Sequence, residues 1–344
     1  MTAEPHLFLL AGRTPGETHA DALASAVGYA LAAERLGFAG VWLAEHHFIS
    51  YGTCPSAIAL AANVLGATSR IRVGTAACVL STRHPVALAE EAVLLDEISG
   101  GRFALGVARG GPWVDLEVFG TGLDRFATGF PESLDLLLAW LSGAPRVGAD
   151  GPLFRFRPVA VVPRPRRPLP VWVAATSPAT VELAAARGLP LLLGMHATDA
   201  EHADLLGRYG RVAAAHGHDP ARTPHASAHL AQVGPDAADV VRARLPALLA
   251  GTREYVRLDG SPPAHRDLAA YTEHLIRIGA VGDATTVRRR LAESAAATGV
   301  RHQLLMVEAA GTRPEVTANI EALAQALGQG APGSTTLPTE TGGT

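Results

Sequence analysis

Eight short apolar runs alternating with longer helical patterns, a glycine closing one helix after another, and a length of 344 residues predict an α/β chain folded as a single (β/α)8 TIM barrel. The runs are His6–Ala11, Phe38–Ala44, Ile71–Thr75, Phe103–Val107, Val171–Ala174, Pro190–Leu193, Ala226–Val233 and Gln303–Glu308. Each is short and mostly apolar, as strands covered on both faces tend to be. Between them lie helical patterns such as Asp21–Leu36 before Gly37, Pro85–Ile98 before Gly100 and Gly101, and Pro178–Arg187 before Gly188. Glycine there turns the chain toward the next strand.

Two segments break the rhythm. Val147–Arg167 carries a glycine-rich turn, an alternating Leu153–Arg157 stretch and a proline run, which predicts a hairpin insertion before the fifth strand. Gly251–Leu268, with Gly260-Ser261-Pro262-Pro263, reads equally as a lid or as an inert surface loop. Residues 1–329 form the predicted barrel domain, and the Thr- and Gly-rich stretch 330–344 has no periodicity and reads as a disordered tail.

Composition narrows the function classes. Apolar residues make up 48% of the chain and charged residues 18%, which is ample for a large core. The net charge is −3, from 29 basic and 32 acidic residues without a long block of either sign, so no nucleic-acid partner and no acidic membrane surface is expected. Arg164-Pro165-Arg166-Arg167 is short and proline-broken and reads as a solvated loop. Cys54 and Cys78 lack the spacing of a disulfide framework or thiolate metal site. With no leader pattern in Met1–Pro5 and no spanning apolar run, a cytoplasmic protein is expected.

In such barrels the chemistry sits at the carboxyl ends of the strands. The second run opens onto Glu45-His46-His47-Phe48, an acid and two imidazoles suited to proton transfer near neutral pH, although a hydrogen-bonded structural pair fits equally well. If the strand continued that far, alternation would put His46 on one face and Glu45 and His47 on the other. The fifth run opens onto Ala175-Thr176-Ser177-Pro178-Ala179-Thr180, where Ser177 caps a helix and Pro178 takes its first position. A free helix N-terminus attracts anions. The fourth run ends in Ala108-Arg109-Gly110-Gly111, which supplies a guanidinium for a phosphate. Taken as two strands apart, these ends would share one phosphate. No metal is expected: His46, His47 and Glu45 are adjacent and point apart, and His216-Gly217-His218 lacks an acidic partner.

The ordered motifs carry a resemblance. Leu36-Gly37-Phe38 leads into Val41-Trp42-Leu43-Ala44-Glu45-His46-His47-Phe48, followed by Val73-Gly74-Thr75-Ala76-Ala77, His84-Pro85-Val86, Gly100-Gly101-Arg102-Phe103, Arg109-Gly110 and Pro170-Val171-Trp172-Val173. In this the chain resembles the bacterial luciferase-like flavin monooxygenases, most of all the α-subunit type. The resemblance implies an FMNH2-dependent, two-component monooxygenase: a separate flavin reductase supplies reduced FMN, and O2 is activated as a C4a-peroxyflavin that oxygenates a small organic substrate. It also implies a homodimer. By the same carry-over His46 is the catalytic histidine, Ala76 and Ala77 form a non-proline cis peptide against the flavin, Arg109 with Ala175, Thr176, Ser177 and Thr180 holds the phosphate, and Ala174 is a further cofactor contact.

The chain also departs from that pattern. Ala108 stands where the α subunit has its reactive cysteine, Thr176 replaces an acidic residue, and Gly129 takes the place of a second phosphate arginine, for which Arg125 is the nearby substitute. The segment before the last βα unit is also shorter. These differences count against light emission and against a long-chain aldehyde as substrate. Related barrels bind the deazaflavin F420 and transfer hydride, and that is the rival cofactor reading; Glu-His-His-Phe and Gly-Thr-Ala-Ala favour FMN. A flavin-binding protein without catalysis is a further alternative, which the retained His46 opposes.

Overall fold

The computed structural model describes residues 4–261 and 267–329. Each of the eight apolar runs is a strand: β1 (Glu4–Leu9), β2 (Gly40–Leu43), β3 (Arg72–Thr75), β4 (Phe103–Ala108), β5 (Val171–Ala174), β6 (Leu191–Leu193), β7 (Ala226–Val233) and β8 (His302–Met306). Every neighbouring pair is parallel, and β8 returns to β1, so the barrel is closed. Closure leaves no free sheet edge among the eight. Two short strands escaped the sequence reading: Cys78–Val79 pairs with the end of β4, and Ala280–Gly282 pairs with the end of β7.

The strands are held by burial on both sides. Leu7, Val41, Val73, Leu105, Val173, Leu191 and Leu305 are fully buried between barrel and helices. Inside, Trp42 meets Trp172 edge to face at 5.2 Å, an arrangement that aromatic quadrupoles favour. Small residues admit these rings: a Cβ on Gly74 would strike Trp42. Helix ends follow the predicted chemistry, with Gly37 and Gly100 in the left-handed region after helices His19–Leu36 and Pro85–Ser99.

The insertion before β5 is an antiparallel hairpin of Arg146–Asp150 and Arg155–Ala160. Its second strand starts two residues later than the alternating pattern suggested, because Glu132 accepts the backbone N–H groups of Leu153 and Phe154 and Phe154 is buried. The basic cluster beyond it is no open patch: Arg166 pairs with Glu97 and Arg167 with Asp96. Residues 330–344, read above as a tail, and Pro262 and Pro263 of the segment before the last βα unit lie outside the described residues. No helix among the described residues is long and apolar enough to cross a membrane. Cys54 and Cys78 are buried free thiols.

Candidate active site at the barrel mouth

The carboxyl ends of the strands surround a cavity of about 170 Å³ whose walls include Leu10, His46, Tyr51, Ala76, Ala174 and His196. His46, Ala76 and Ala174, separated by up to half the barrel in sequence, therefore meet at one place. A larger recess of about 780 Å³, bounded by Arg288, Leu291 and Leu327, adjoins Pro5 and Arg301 at the other end of the barrel, where no strand carboxyl end opens.

His46 reaches the cavity by a route different from the alternation argued above. β2 stops at Leu43, and from there the chain is irregular. The His46 N–H donates to the Cys54 carbonyl at 2.9 Å, and the ring stands edge-on to Tyr51 at 5.2 Å. Gly52 packs against Nδ1 so closely that any side chain there would collide with it, and Nδ1 is buried without a hydrogen-bond partner. Burial pushes the His46 pKa down to about 4, against the pull of Glu45. The imidazole is neutral at physiological pH.

Glu45 turns away from this cavity. Its buried carboxylate accepts the N–H of Ala57 at 3.0 Å and of Val79 at 2.9 Å, and His47 Nε2 lies 3.8 Å away. Burial alone would raise its pKa, but His47, Arg83 and the two backbone donors outweigh it and the net direction is down. Glu45 thus fixes the loop after β2 to the short strand Cys78–Val79 and to the start of helix Ala57–Ala67.

Between β3 and that short strand the Ala76–Ala77 peptide is cis, as the resemblance implied. Thr75 sets its approach: the hydroxyl donates to the Gly106 carbonyl at 2.8 Å and accepts the Gly106 N–H at 2.9 Å. A Cβ on Gly106 would strike the Thr75 carbonyl, so only glycine allows this contact.

The anion elements lie side by side rather than two strands apart. β4 and β5 are neighbours, with Val107 opposite Val173, so Arg109 and Ala175 leave adjacent strand ends. Ser177 caps helix Pro178–Ala185, its hydroxyl accepting from the Thr180 N–H and lying 3.0 Å from the Thr180 hydroxyl. Thr176 and Ala179 are exposed there, which leaves the helix end open. No acidic side chain among the described residues pairs with the Arg109 guanidinium, which lies 4.4 Å over the Phe126 ring. Arg125 is turned toward the backbone. Its Nη2 donates to the Leu80 and Arg83 carbonyls, and its guanidinium covers Phe154. Gly129 packs against Leu153.

Sequence reasoning missed two groups. His196 follows β6 and lines the cavity, and the Tyr271 hydroxyl is hydrogen-bonded to its Nδ1. Reading every strand end, Gly194-Met195-His196 included, would have found it. Glu308, just beyond β8, is buried and accepts the N–H groups of Leu10 and Gly12. The segment after Gly251 packs against the loops that follow β2 and β4: Glu254 accepts from Ser50, and Tyr255 stacks on Trp113 at 4.3 Å.

Comparison with known proteins gives the family. The luciferase-like monooxygenase family profile matches residues 4–329. The alkanal monooxygenase alpha chain of the Kryptophanaron alfredi symbiont is 36% identical over 234 residues, covering 66% of this chain and 64% of that protein. A Photorhabdus luminescens alkanal monooxygenase alpha chain is also 36% identical, over 238 residues, again 64% of its length. The match thus spans less than two thirds of these relatives. Among solved structures, monooxygenase RslO1 from Streptomyces bottropensis superposes with a TM-score of 0.82 at 23% identity, over 95% of this chain and 98% of that one. The oxygenating constituent of 3,6-diketocamphane monooxygenase from Pseudomonas putida, solved with FMN, gives 0.75 at 19% identity, over 96% and 98%. An F420-dependent secondary alcohol dehydrogenase gives 0.75 at 18%, over 95% and 98%, so fold alone does not separate the two cofactors. With its profile match running through nearly the whole described barrel, the chain belongs to the luciferase-like monooxygenase family.

Proposed function

We propose that this protein is an FMNH2-dependent monooxygenase that inserts one oxygen atom of O2 into a small organic substrate. The observation that carries the reading is the convergence of His46, Ala76 and Ala174 on one cavity beside an open helix N-terminus and an arginine with no acidic partner among the described residues. These residues fit a flavin. Ala76 and Ala174 offer the flat apolar walls that an aromatic ring system needs, and Arg109, Thr176, Ser177 and Thr180 offer the donors that a phosphate needs. Ala77 and Ala175, buried just behind, hold both walls in place. At about 170 Å³ the cavity is smaller than the ~300–1,000 Å³ usual for small-molecule pockets. It holds only part of such a ligand, and the phosphate end belongs outside it, toward helix Pro178–Ala185.

When bound, reduced flavin supplies two electrons to O2, and one oxygen atom leaves as water. The chain's own contribution is to exclude solvent and to manage one proton. His46, neutral and held by Cys54, Tyr51 and Gly52, is placed to accept or share a proton at the reacting centre. The packed segment around Tyr255 and Trp113 helps keep bulk water from the mouth. A flavin reductase is the partner that this cofactor use requires, and two free buried thiols suit a reducing cytoplasm. A homodimer is part of the same reading, supported by exposed Leu94 and Ile98 one turn apart on helix Pro85–Ser99.

FMN is preferred to F420 because the relatives matched at 36% identity are alkanal monooxygenases. The test is calorimetric titration with FMN, FMNH2 and both redox states of F420. Tighter binding of FMNH2 than of any F420 form is expected. Binding of F420 without binding of FMNH2 overturns the assignment.

A further inference from the structure

The amino-terminal end of the barrel carries a cluster unrelated to the site above. Glu4 and His302 stand directly opposite in the β1–β8 register, and His6 lies two residues beyond Glu4 on the same strand face. Both imidazoles point into the barrel: His6 stands edge-on to Trp42 and His302 edge-on to Trp172. His6 Nε2 is 3.2 Å from His302 Nδ1, and His302 Nδ1 is 3.3 Å from Glu4 Oε2. The three ligand atoms lie within 4.8 Å of one another.

We propose that Glu4, His6 and His302 bind a divalent transition-metal ion of the zinc class, which staples the first barrel strand to the last. Two imidazole nitrogens and one carboxylate oxygen are a common zinc donor set. Bonds of about 2.0–2.1 Å at tetrahedral angles put ligand atoms about 3.3 Å apart, which the two short separations match. A fourth position remains for water.

The proton count favours a cation over a hydrogen-bonded trio. His302 Nδ1 faces two acceptors at once, and one proton on it cannot point at both. If His6 Nε2 carries the proton instead, the lone pair of His302 Nδ1 faces the Glu4 carboxylate with nothing between them. A dication at the meeting point serves all three lone pairs. The contact on Glu4 also suits ligation: Arg301 holds Glu4 Oε1 at 3.3 Å and leaves Oε2 free, in the way that ligating carboxylates are usually oriented. Arg301, paired with Glu4, opposes a dication, so micromolar rather than subnanomolar affinity is expected. In a barrel this end serves stability rather than chemistry. A link from residue 6 to residue 302 closes nearly the whole chain, so its effect belongs in unfolding.

The test uses the tag-free, metal-stripped full chain, titrated with Zn²⁺ by calorimetry and with Co²⁺ by visible absorption. One equivalent of either ion should bind, Co²⁺ with the intense bands of tetrahedral coordination, and saturating Zn²⁺ should raise the thermal midpoint. Glu4→Gln and His302→Gln, chosen to preserve size, should each weaken Zn²⁺ at least about tenfold while retaining the parental circular dichroism. His46→Ala should leave the titration unchanged. Absence of a one-to-one site, a weak octahedral Co²⁺ spectrum, or loss of binding in His46→Ala overturns the inference. The Co²⁺ spectrum is read on the unaltered chain and decides the matter even if a variant fails to fold.

Discussion

Glu45 and His47 face each other at 3.8 Å outside the cavity that His46 lines, so three consecutive side chains are divided between scaffold and site. That division predicts opposite phenotypes. His46→Ala should leave FMNH2 affinity within a few-fold while substrate oxygenation falls by roughly 10²–10⁴, the usual worth of a positioned acid or base. Hydrogen peroxide release should rise in step. Stopped-flow absorbance with product and peroxide assays separates these outcomes, and oxygenation at the parental rate makes His46 structural.

Glu45→Gln should act on folding instead. Its carboxylate holds two backbone N–H groups in a buried setting, and the amide that replaces it offers only one acceptor oxygen. A loss of about 1–3 kcal/mol in urea unfolding is expected. A variant with parental stability but no oxygenation would move Glu45 into the catalytic machinery.

Arg109→Ala should weaken FMNH2 by about ten- to a hundredfold, the worth of one charge-assisted phosphate contact. Riboflavin, which lacks the phosphate, should lose little. Fluorescence titration with both ligands checks the difference, and equal losses would assign Arg109 to its packing on Phe126.

Leu94 and Ile98 are 52% and 69% exposed on one helix face, an arrangement that a monomer gains nothing from. Leu94→Glu combined with Ile98→Glu should convert a dimer to a monomer by light scattering at micromolar concentration. A parental chain that is already monomeric under those conditions removes the dimer from the proposal.

The strands are legible because runs buried on both faces are mostly apolar, and that shows in sequence alone. Cys78–Val79 and Ala280–Gly282 were not, since strands of two or three residues are defined by their partners rather than by a pattern. His46 lines the mouth cavity, but not by strand alternation: β2 ends at Leu43, and the Cys54 carbonyl and Gly52, both later in the chain, seat the ring. Arg109 and Ser177 were legible as types, but their adjacency depended on strand order. The partners of Arg125 are backbone carbonyls, which no side-chain pattern announces.

Glu308 gives the pH prediction. It is buried beyond β8, and burial raises its pKa to about 7 despite the opposing donors Leu10 N–H at 2.5 Å and Gly12 N–H at 2.9 Å. An unfolded chain returns the group to about 4.5. Between these values the folded state binds more protons than the unfolded state, so stability must fall as pH rises. The contribution is fully present below about pH 4.5 and is lost as pH climbs through about 7. Glu308→Gln keeps an acceptor for one N–H group and removes the titration. Urea unfolding of both proteins between pH 5 and pH 8 should therefore show a difference that shifts in favour of the glutamine variant toward the alkaline end, the window being set by the two pKa values. A difference that stays constant across the range would mean that Glu308 keeps its charge in the fold, with the Leu10 and Gly12 donors outweighing its burial.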